Sequence, residues 1–308
     1  MVEHIPVLAD EVLGALAPEP DGYYVDATFG RGGHTALLLQ ALGREGRVLA
    51  IDQDPAAVAA GGRRFAGEMR LALVHASFAD IGTLVPAHSG GRACRGVLFD
   101  LGVSSPQLDD PARGFSFRAD GPLDLRMDPT RGEPIAAWLA RASVDEIREV
   151  IATLGEERFA RRVAQAIVTA RRERPIERTR ELAELVARAV RTREPGKHPA
   201  TRTFQALRMH ANDELGQLER ALTGAVGALA TGGRLAVISF HSLEDRLVKR
   251  FLQRESQLDP AIAALPIVPP QLTPPLKLIG RKARPSKEEV ARNPRARSAL
   301  LRVAEKVV

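Results

Sequence analysis

Val25-Asp26-Ala27-Thr28-Phe29-Gly30-Arg31-Gly32-Gly33-His34-Thr35 decides how this chain of 308 residues folds. Just before it, Tyr23, Tyr24 and Val25 read as a short strand. Gly30, Gly32 and Gly33 offer a tight turn in which positive φ costs little, and the apolar run from Thr35 to Leu42 reads as a helix. Strand, glycine turn and helix make a nucleotide-cofactor cradle, in which backbone N–H groups can approach a ligand closely. The next strand, Arg47 to Ile51, delivers Asp52 to its carboxyl end, where a carboxylate can hold a ribose diol.

The spacing separates two cofactor classes. A dinucleotide fingerprint G-x-G-x-x-G beginning at Gly30 requires glycine at position 35, which Thr35 occupies. An acidic-x-x-x-Gly-x-Gly reading, Asp26 to Gly30 to Gly32, fits better. That is the pattern of enzymes that use S-adenosylmethionine, a cofactor with a ribose and an adenine but no phosphate. An ordinary tight turn would also carry glycines; Asp26 before the turn and Asp52 after it favour the cofactor.

Working outward, Ala9 to Leu16 reads as a short amphipathic helix ahead of the first strand. Asp54-Pro55 opens a helix to about Phe65, Arg70 to His75 is a third strand ending at Ser77-Phe78, and Val97 to Asp100 is a fourth. Alternating strands and helices predict a parallel sheet with right-handed crossovers and a ligand at the strands' carboxyl ends. Asp26, Asp52, Phe78 and Asp100 all fall there. From Gln107 to about Pro199 the strand pattern stops and the text is helical: Pro134 to Arg141, a capping box at Ser143 to Glu146 opening a helix that closes at Gly155, then Glu156 to Arg172 and Thr179 to Arg191. The Arg and Glu of this block read first as a salt-bridged solvated face. A long helix from Thr201 to Ala230 follows, then a buried strand Arg234 to Phe240, Ser242 with Asp245 as a helix cap beside His241, a proline-rich loop from Pro269 to Pro275, and a last strand, Ala299 to Val303.

Composition narrows the classes. With 44% hydrophobic residues a core of ordinary size can form, while 4% aromatics exclude a broad base-stacking platform. The net charge of +6 is concentrated: Leu276 to Val308 holds ten Lys and Arg against three Glu, leaving the remainder close to neutral. That end is either a phosphate-contacting surface or a solvated tail. Cys94 is the single cysteine, so there is no internal disulfide, and the seven histidines show no zinc spacing, so no metal is expected. Neither a signal peptide nor a membrane span is visible, and a cytoplasmic location is expected.

The loop after the fourth strand runs from Asp100-Leu101-Gly102-Val103-Ser104-Ser105-Pro106-Gln107 to Asp128 and is dense in polar residues, glycine and proline, as a methyl-acceptor pocket requires. Methyl transfer from a sulfonium is an in-line displacement helped chiefly by positioning. For an exocyclic amine, Asp100 could accept a hydrogen bond from N–H and steer the lone pair; as a bland alternative it forms a turn. Methylation of a pyrimidine ring carbon would need a thiolate at the cleft. Cys94 lies before the fourth strand, at the opposite end of the sheet, which leaves an amine, a ribose hydroxyl or a small molecule as acceptor.

H-I-P-V-L at His4, D-A-T-F-G-R-G-G-H at Asp26, D-L-G-V-S-S-P-Q-L-D at Asp100, R-G-F-S-F at Arg113, D-G-P-L-D-L-R-M-D at Asp120 and S-F-H-S-L-E-D-R at Ser239 together resemble the bacterial ribosomal RNA small subunit methyltransferase H family, also called MraW. The likeness runs from His4 to the last strand. It implies S-adenosylmethionine-dependent N4 methylation of a cytidine in the decoding region of small-subunit (16S) rRNA, in a cytoplasmic enzyme. The partner would be that rRNA or the small ribosomal subunit, with no membrane; monomer and homodimer both remain open. The implied fold is α/β: a class I methyltransferase, Rossmann-like, mostly parallel sheet in two parts, 1–107 and 200–308, with a helical inserted domain at 108–199. By the same resemblance Gly32, Gly33 and His34 would contact the cofactor at the turn, Asp52 its ribose and Phe78 its adenine, with Asp100 and Gln107 at its remaining polar edge or methionine end. Asp100 is the expected catalytic residue.

The wider amino methyltransferases commonly place an aromatic after Asp/Asn-Pro-Pro at the position of Asp100. This chain has Leu-Gly-Val-Ser-Ser-Pro instead, which leaves open what holds the cytosine; Phe115 or Phe117 is one suggestion, and core packing suits both better. A small-molecule or DNA amino methyltransferase, or an RNA-binding protein that kept the fold without the activity, are the competing classes.

Overall fold

The computed structural model describes residues 6–190, 196, 198–258, 262 and 272–308. His4 and Ile5 of the first motif, Arg191, and much of the proline-rich loop from Pro269 lie outside the described residues. The chain divides into two compact units, Met1–Gly102 with Leu215–Val308, and Val103–Glu214. The second starts earlier and ends later than the expected 108–199 insertion.

In the first unit, α1 (Ala9–Leu16) precedes β1 (Tyr23–Asp26), α2 (Gly33–Ala41), β2 (Arg47–Asp52), α3 (Pro55–Arg64), β3 (Leu71–His75), α4 (Ile81–Ser89) and β4 (Cys94–Asp100). Asp54 caps α3 by accepting the Ala56 N–H, with Pro55 in the first turn. The chain returns through β5 (Leu229–Ser239), α12 (Ser242–Ser256), β6 (Leu276–Leu278) and β7 (Leu300–Lys306). The sheet order is β3-β2-β1-β4-β5-β7-β6, with β1 to β5 parallel and β7 antiparallel to both neighbours. This is the class I methyltransferase sheet expected above.

Both faces of the sheet are covered, which is why its strands read as continuous apolar runs. Alternate residues supply opposite cores: Tyr23, Val25, Leu49, Ile51, Val97 and Phe99 one, Tyr24, Val48, Leu98, Ala236 and Ile238 the other. Register places Val25 beside Leu49 and Val97, so β2 and β4 each run two residues past the end of β1 and carry Asp52 and Asp100 beyond Asp26.

The second unit contains α5 (Ser105–Asp109), α6 (Ile135–Arg141), α7 (Val144–Gly155), α8 (Ala160–Ala170), α9 (Thr179–Ala189) and α10 (Thr201–Ala211) around its own core of Ile147, Ile151, Val163, Ile167, Leu182, Val186 and Leu207. The Ser143–Glu146 capping box opens α7 as read from sequence. The single helix expected from Thr201 to Ala230 is instead two, α10 and α11 (Glu214–Ala228). Asn212 accepts the Met127 N–H at 2.7 Å and donates to Leu125 O at 2.8 Å, while Asp213 turns left-handed with φ 46°. Distant backbone thus ends α10 where periodicity would have carried it on. Among the described residues, no helix is long and apolar enough to cross a membrane.

Candidate cofactor and acceptor site

The cradle forms where β1 gives way to α2. Gly30 and Gly32 take positive φ, 54° and 71°, and a Cβ at Gly32 would come within 2.7 Å of both the Phe29 and Phe65 rings. Only glycine opens α2 there. Asp26 is buried and faces inward, its Oδ2 accepting the Thr35 hydroxyl at 2.7 Å and its Oδ1 the Thr28 N–H at 3.2 Å. It fastens strand to helix, and burial holds its pKa above the ordinary carboxylate value.

Asp52, at the end of β2, faces the glycine turn. Its Oδ2 accepts the Gly30 N–H at 2.7 Å and its Oδ1 the Asp54 N–H at 2.8 Å. Each oxygen keeps lone-pair capacity for a further donor. Burial pushes its pKa up to about 6 against the lowering effect of those two amides. Phe78, just past β3, is half-buried and meets Phe99 edge-to-face at 5.8 Å.

Asp100 ends β4. Its backbone N–H donates to Thr28 Oγ1 at 2.6 Å, which ties the strand end to the cradle. Oδ2 lies 3.6 Å from His34 Nε2, an ion-pair separation rather than a hydrogen bond. The side chain is 26% exposed, yet Oδ1 is buried and has no hydrogen-bond partner. Burial, reinforced by the charges of Asp26 and Glu244, pushes its pKa up to about 8. A buried acceptor without a donor is costly to leave unmade and marks a place for a ligand's N–H or O–H.

Two contributors escaped the sequence reading. Thr28 lies inside the quoted stretch, where nothing singles it out from its neighbours. Glu244 sits in the S-F-H-S-L-E-D-R motif without any sign that it is buried. The cap on α12 also shifts by one residue from Ser242 and Asp245: His241 Nδ1 accepts the Glu244 N–H at 3.4 Å, and Glu244 Oε2 accepts the Phe240 N–H at 2.9 Å. Asp245 instead pairs with Arg302 at 2.7 Å.

Gln107 belongs to the second unit, where its Oε1 accepts the Ser104 N–H at 2.9 Å in the capping box that opens α5. Phe115 is buried in that unit's core, and Phe117 packs 4.8 Å from Phe204 and 4.7 Å from His198. Both rings are engaged in packing. The loop around them is closely knit: Arg113 donates to Met127 O at 2.8 Å, and a Cβ at Gly121 would fall 1.8 Å from Pro111 O.

Cys94 is the first residue of β4 rather than a residue before it. A seven-residue strand holds it roughly 20 Å from Asp100, and burial pushes its thiol up to about 12. No thiolate is available at the strand ends from this residue.

The MraW methylase family profile matches residues 1–307. Ribosomal RNA small subunit methyltransferase H of Burkholderia pseudomallei (strain 1106a) is 56% identical over 99% of this chain and 98% of its own length. The protein of the same name in Burkholderia mallei (strain SAVP1) matches at the same identity and coverage. Among solved structures, a putative rRNA methylase from Clostridium thermocellum aligns over 99% of this chain and all of its own, with 14% identity and a TM-score of 0.47. On the family match and the two sequence relatives, this chain is a methyltransferase that belongs to the MraW methylase family.

Proposed function

We propose that this chain transfers a methyl group from S-adenosylmethionine to the exocyclic N4 amine of a cytidine in the decoding region of small-subunit (16S) rRNA, in the cytoplasm. The observation that carries the amine is Asp100: a carboxyl at the end of β4 whose buried Oδ1 lacks a donor. The names of the relatives support small-subunit rRNA as the substrate.

The residues present fit the cofactor. Gly32, Gly33 and the His34 main chain form the turn and first helical residues that would hold its amino-acid end. Asp52 would accept the ribose hydroxyls, and half-buried Phe78 would lie against the adenine. Gln107 would serve its remaining polar edge, a role that rests on the family resemblance. Bound there, S-adenosylmethionine supplies an electrophilic methyl on a sulfonium. Asp100 would then accept an amine N–H, aim the nitrogen lone pair and exclude competing orientations. No strong base is required, because the methylated ammonium loses its proton readily.

The target base must be unstacked to be reached, which suits a single-stranded or opened rRNA site. Arg281, Lys282 and Arg284 are exposed and flank Ala283, whose backbone bridges Leu301 with both bonds at 3.0 Å. Exposed cations on a backbone tied to β7 in this way favour phosphate contact over a loose tail. Neutralising all three should weaken binding to the small ribosomal subunit and reduce the slope of log affinity against log salt by about 2; an unchanged slope counts against the contact.

Mass-spectrometric mapping of small-subunit rRNA from a strain lacking this chain tests the acceptor directly. One N4-methyl on a decoding-region cytidine should vanish and return with the wild-type chain but not with Asp100→Asn. Tritiated methyl appearing in DNA or metabolites, and not in rRNA, would reassign the substrate. Failure to bind S-adenosylmethionine at all would leave an RNA-binding relic of the fold.

A further inference from the structure

We propose that His34 and Asp100 work as one proton-sharing pair, in which the imidazole holds a proton while Asp100 faces the acceptor amine as a carboxylate. The proposal rests on the reading of Asp100 given above and adds a positioning residue to it. The His34 main chain opens α2 at the cradle; its ring has this second job.

The geometry is specific. His34 is buried in the first turn of α2, and its Nε2 stands 3.6 Å from Asp100 Oδ2. Asp100 is pinned from the other side by the bond from its own N–H to Thr28 Oγ1. The charged groups that act on Asp100 from the packed elements are Asp26 from β1 and Glu244 from α12, both acidic. Each of these has its own partners: Thr28 and Thr35 for Asp26, and His241, with Nε2 2.9 Å from Oε1, for Glu244. Among the described residues, His34 is the basic side chain at ion-pair distance from Asp100.

Chemistry requires such a partner. Burial and the charges of Asp26 and Glu244 raise the pKa of Asp100 to about 8, which favours the protonated form, and a protonated carboxyl offers an O–H where an amine hydrogen needs an acceptor. A proton placed on the imidazole leaves the pair's total proton count unchanged and restores the acceptor. In the transfer, the amine lone pair forms the N–C bond while the C–S bond breaks with its electron pair left on sulfur. The surplus proton on nitrogen passes to Asp100 and from the pair to water. His34 makes no contact with the reacting atoms in this scheme; it sets the charge of the group that does.

The test is the pH profile of kcat, from pH 6 to 9, for the full-length wild type, His34→Gln and Asp100→Asn, with small ribosomal subunits or their rRNA as acceptor. Wild type should change by less than about threefold between pH 6.5 and 8.5. His34→Gln should rise at least about tenfold over the same interval, as the activity of a lone carboxyl whose pKa lies well above the ordinary range does. A His34→Gln rate lowered by one constant factor at every pH would overturn the pair and leave His34 a packing residue. Asp100→Asn separates the two claims. If it keeps wild-type kcat, the reading of Asp100 itself falls, and the pair with it; if it is inactive while His34→Gln parallels wild type, only the pair falls. Should His34→Gln fail to fold, ring-labelled histidine NMR gives the answer. The His34 resonances should lose in Asp100→Asn an inflection they show in wild type, and an identical titration in both proteins would overturn the proposal.

Discussion

The acids that close three strands of the sheet unit and two arginine-paired acids of the helical unit live under opposite conditions. In the sheet unit Asp26, Asp52 and Asp100 end three adjacent parallel strands, and burial raises all three. In the helical unit Asp120 is bonded to Arg178 at 2.6 Å and Glu133 to Arg141, and those guanidinium bonds hold both carboxyls below their ordinary values. A carboxylate matched by an arginine on a wet surface has its valences filled and contributes little to stability. A carboxylate sunk at a strand end beside other acids is costly to ionise, and such an arrangement is found where chemistry needs an acceptor. On the function proposed above, the difference separates a supporting surface from a working one inside a single chain.

The contrast can be broken most sharply at Asp100. Asp100→Asn keeps the shape but removes the anionic acceptor, so single-turnover methyl transfer should fall by about 10²- to 10³-fold while calorimetric binding of S-adenosylmethionine is largely kept. Full activity in the variant would reduce Asp100 to a strand terminator. Next in size is the pH dependence of cofactor affinity. Asp52 has its pKa raised to about 6, and a ribose diol needs the ionised form as acceptor. Affinity should therefore be flat above that pH and fall about tenfold per unit below it; Asp52→Asn should bind weakly and without this pH dependence. A wild-type affinity that stays constant down to pH 5 would detach Asp52 from the ribose. The smallest effect belongs to the helical unit: Asp120→Asn should leave the thermal midpoint within about a degree of wild type and leave kcat unchanged. A large loss of activity there would mean that the arginine-paired acids do more than stabilise a surface.

Much of the sheet unit was legible because its parallel strands are apolar runs, as burial on both faces requires, and β1, β2 and β4 are each closed by an acid. Asp26, Asp52 and Asp100 could be placed at strand ends from that alone. Legibility fails where the deciding contact is remote. Nothing near Asn212 signals that its side chain will bind backbone at Leu125 and Met127, so the helix from Thr201 looked unbroken. The β6 strand is three residues long, and its pairing with β7 is its main support. The charge environment of Asp100 depends on Glu244, far away in sequence, whose burial is invisible in a first-turn S-L-E-D segment. The inward turn of Asp26 was hidden as well, since a buried and a ligand-facing acid look alike before a glycine turn.

Cys94, walled in at the base of β4, makes the chain unusually simple to label. It is the only sulfhydryl in the sequence and is buried, so maleimide dyes should ignore the folded protein. A reporter installed by Met69→Cys, at a side chain 88% exposed, would then react alone. Fluorescence from that position could time the arrival of ribosomal subunits without any native residue first being removed.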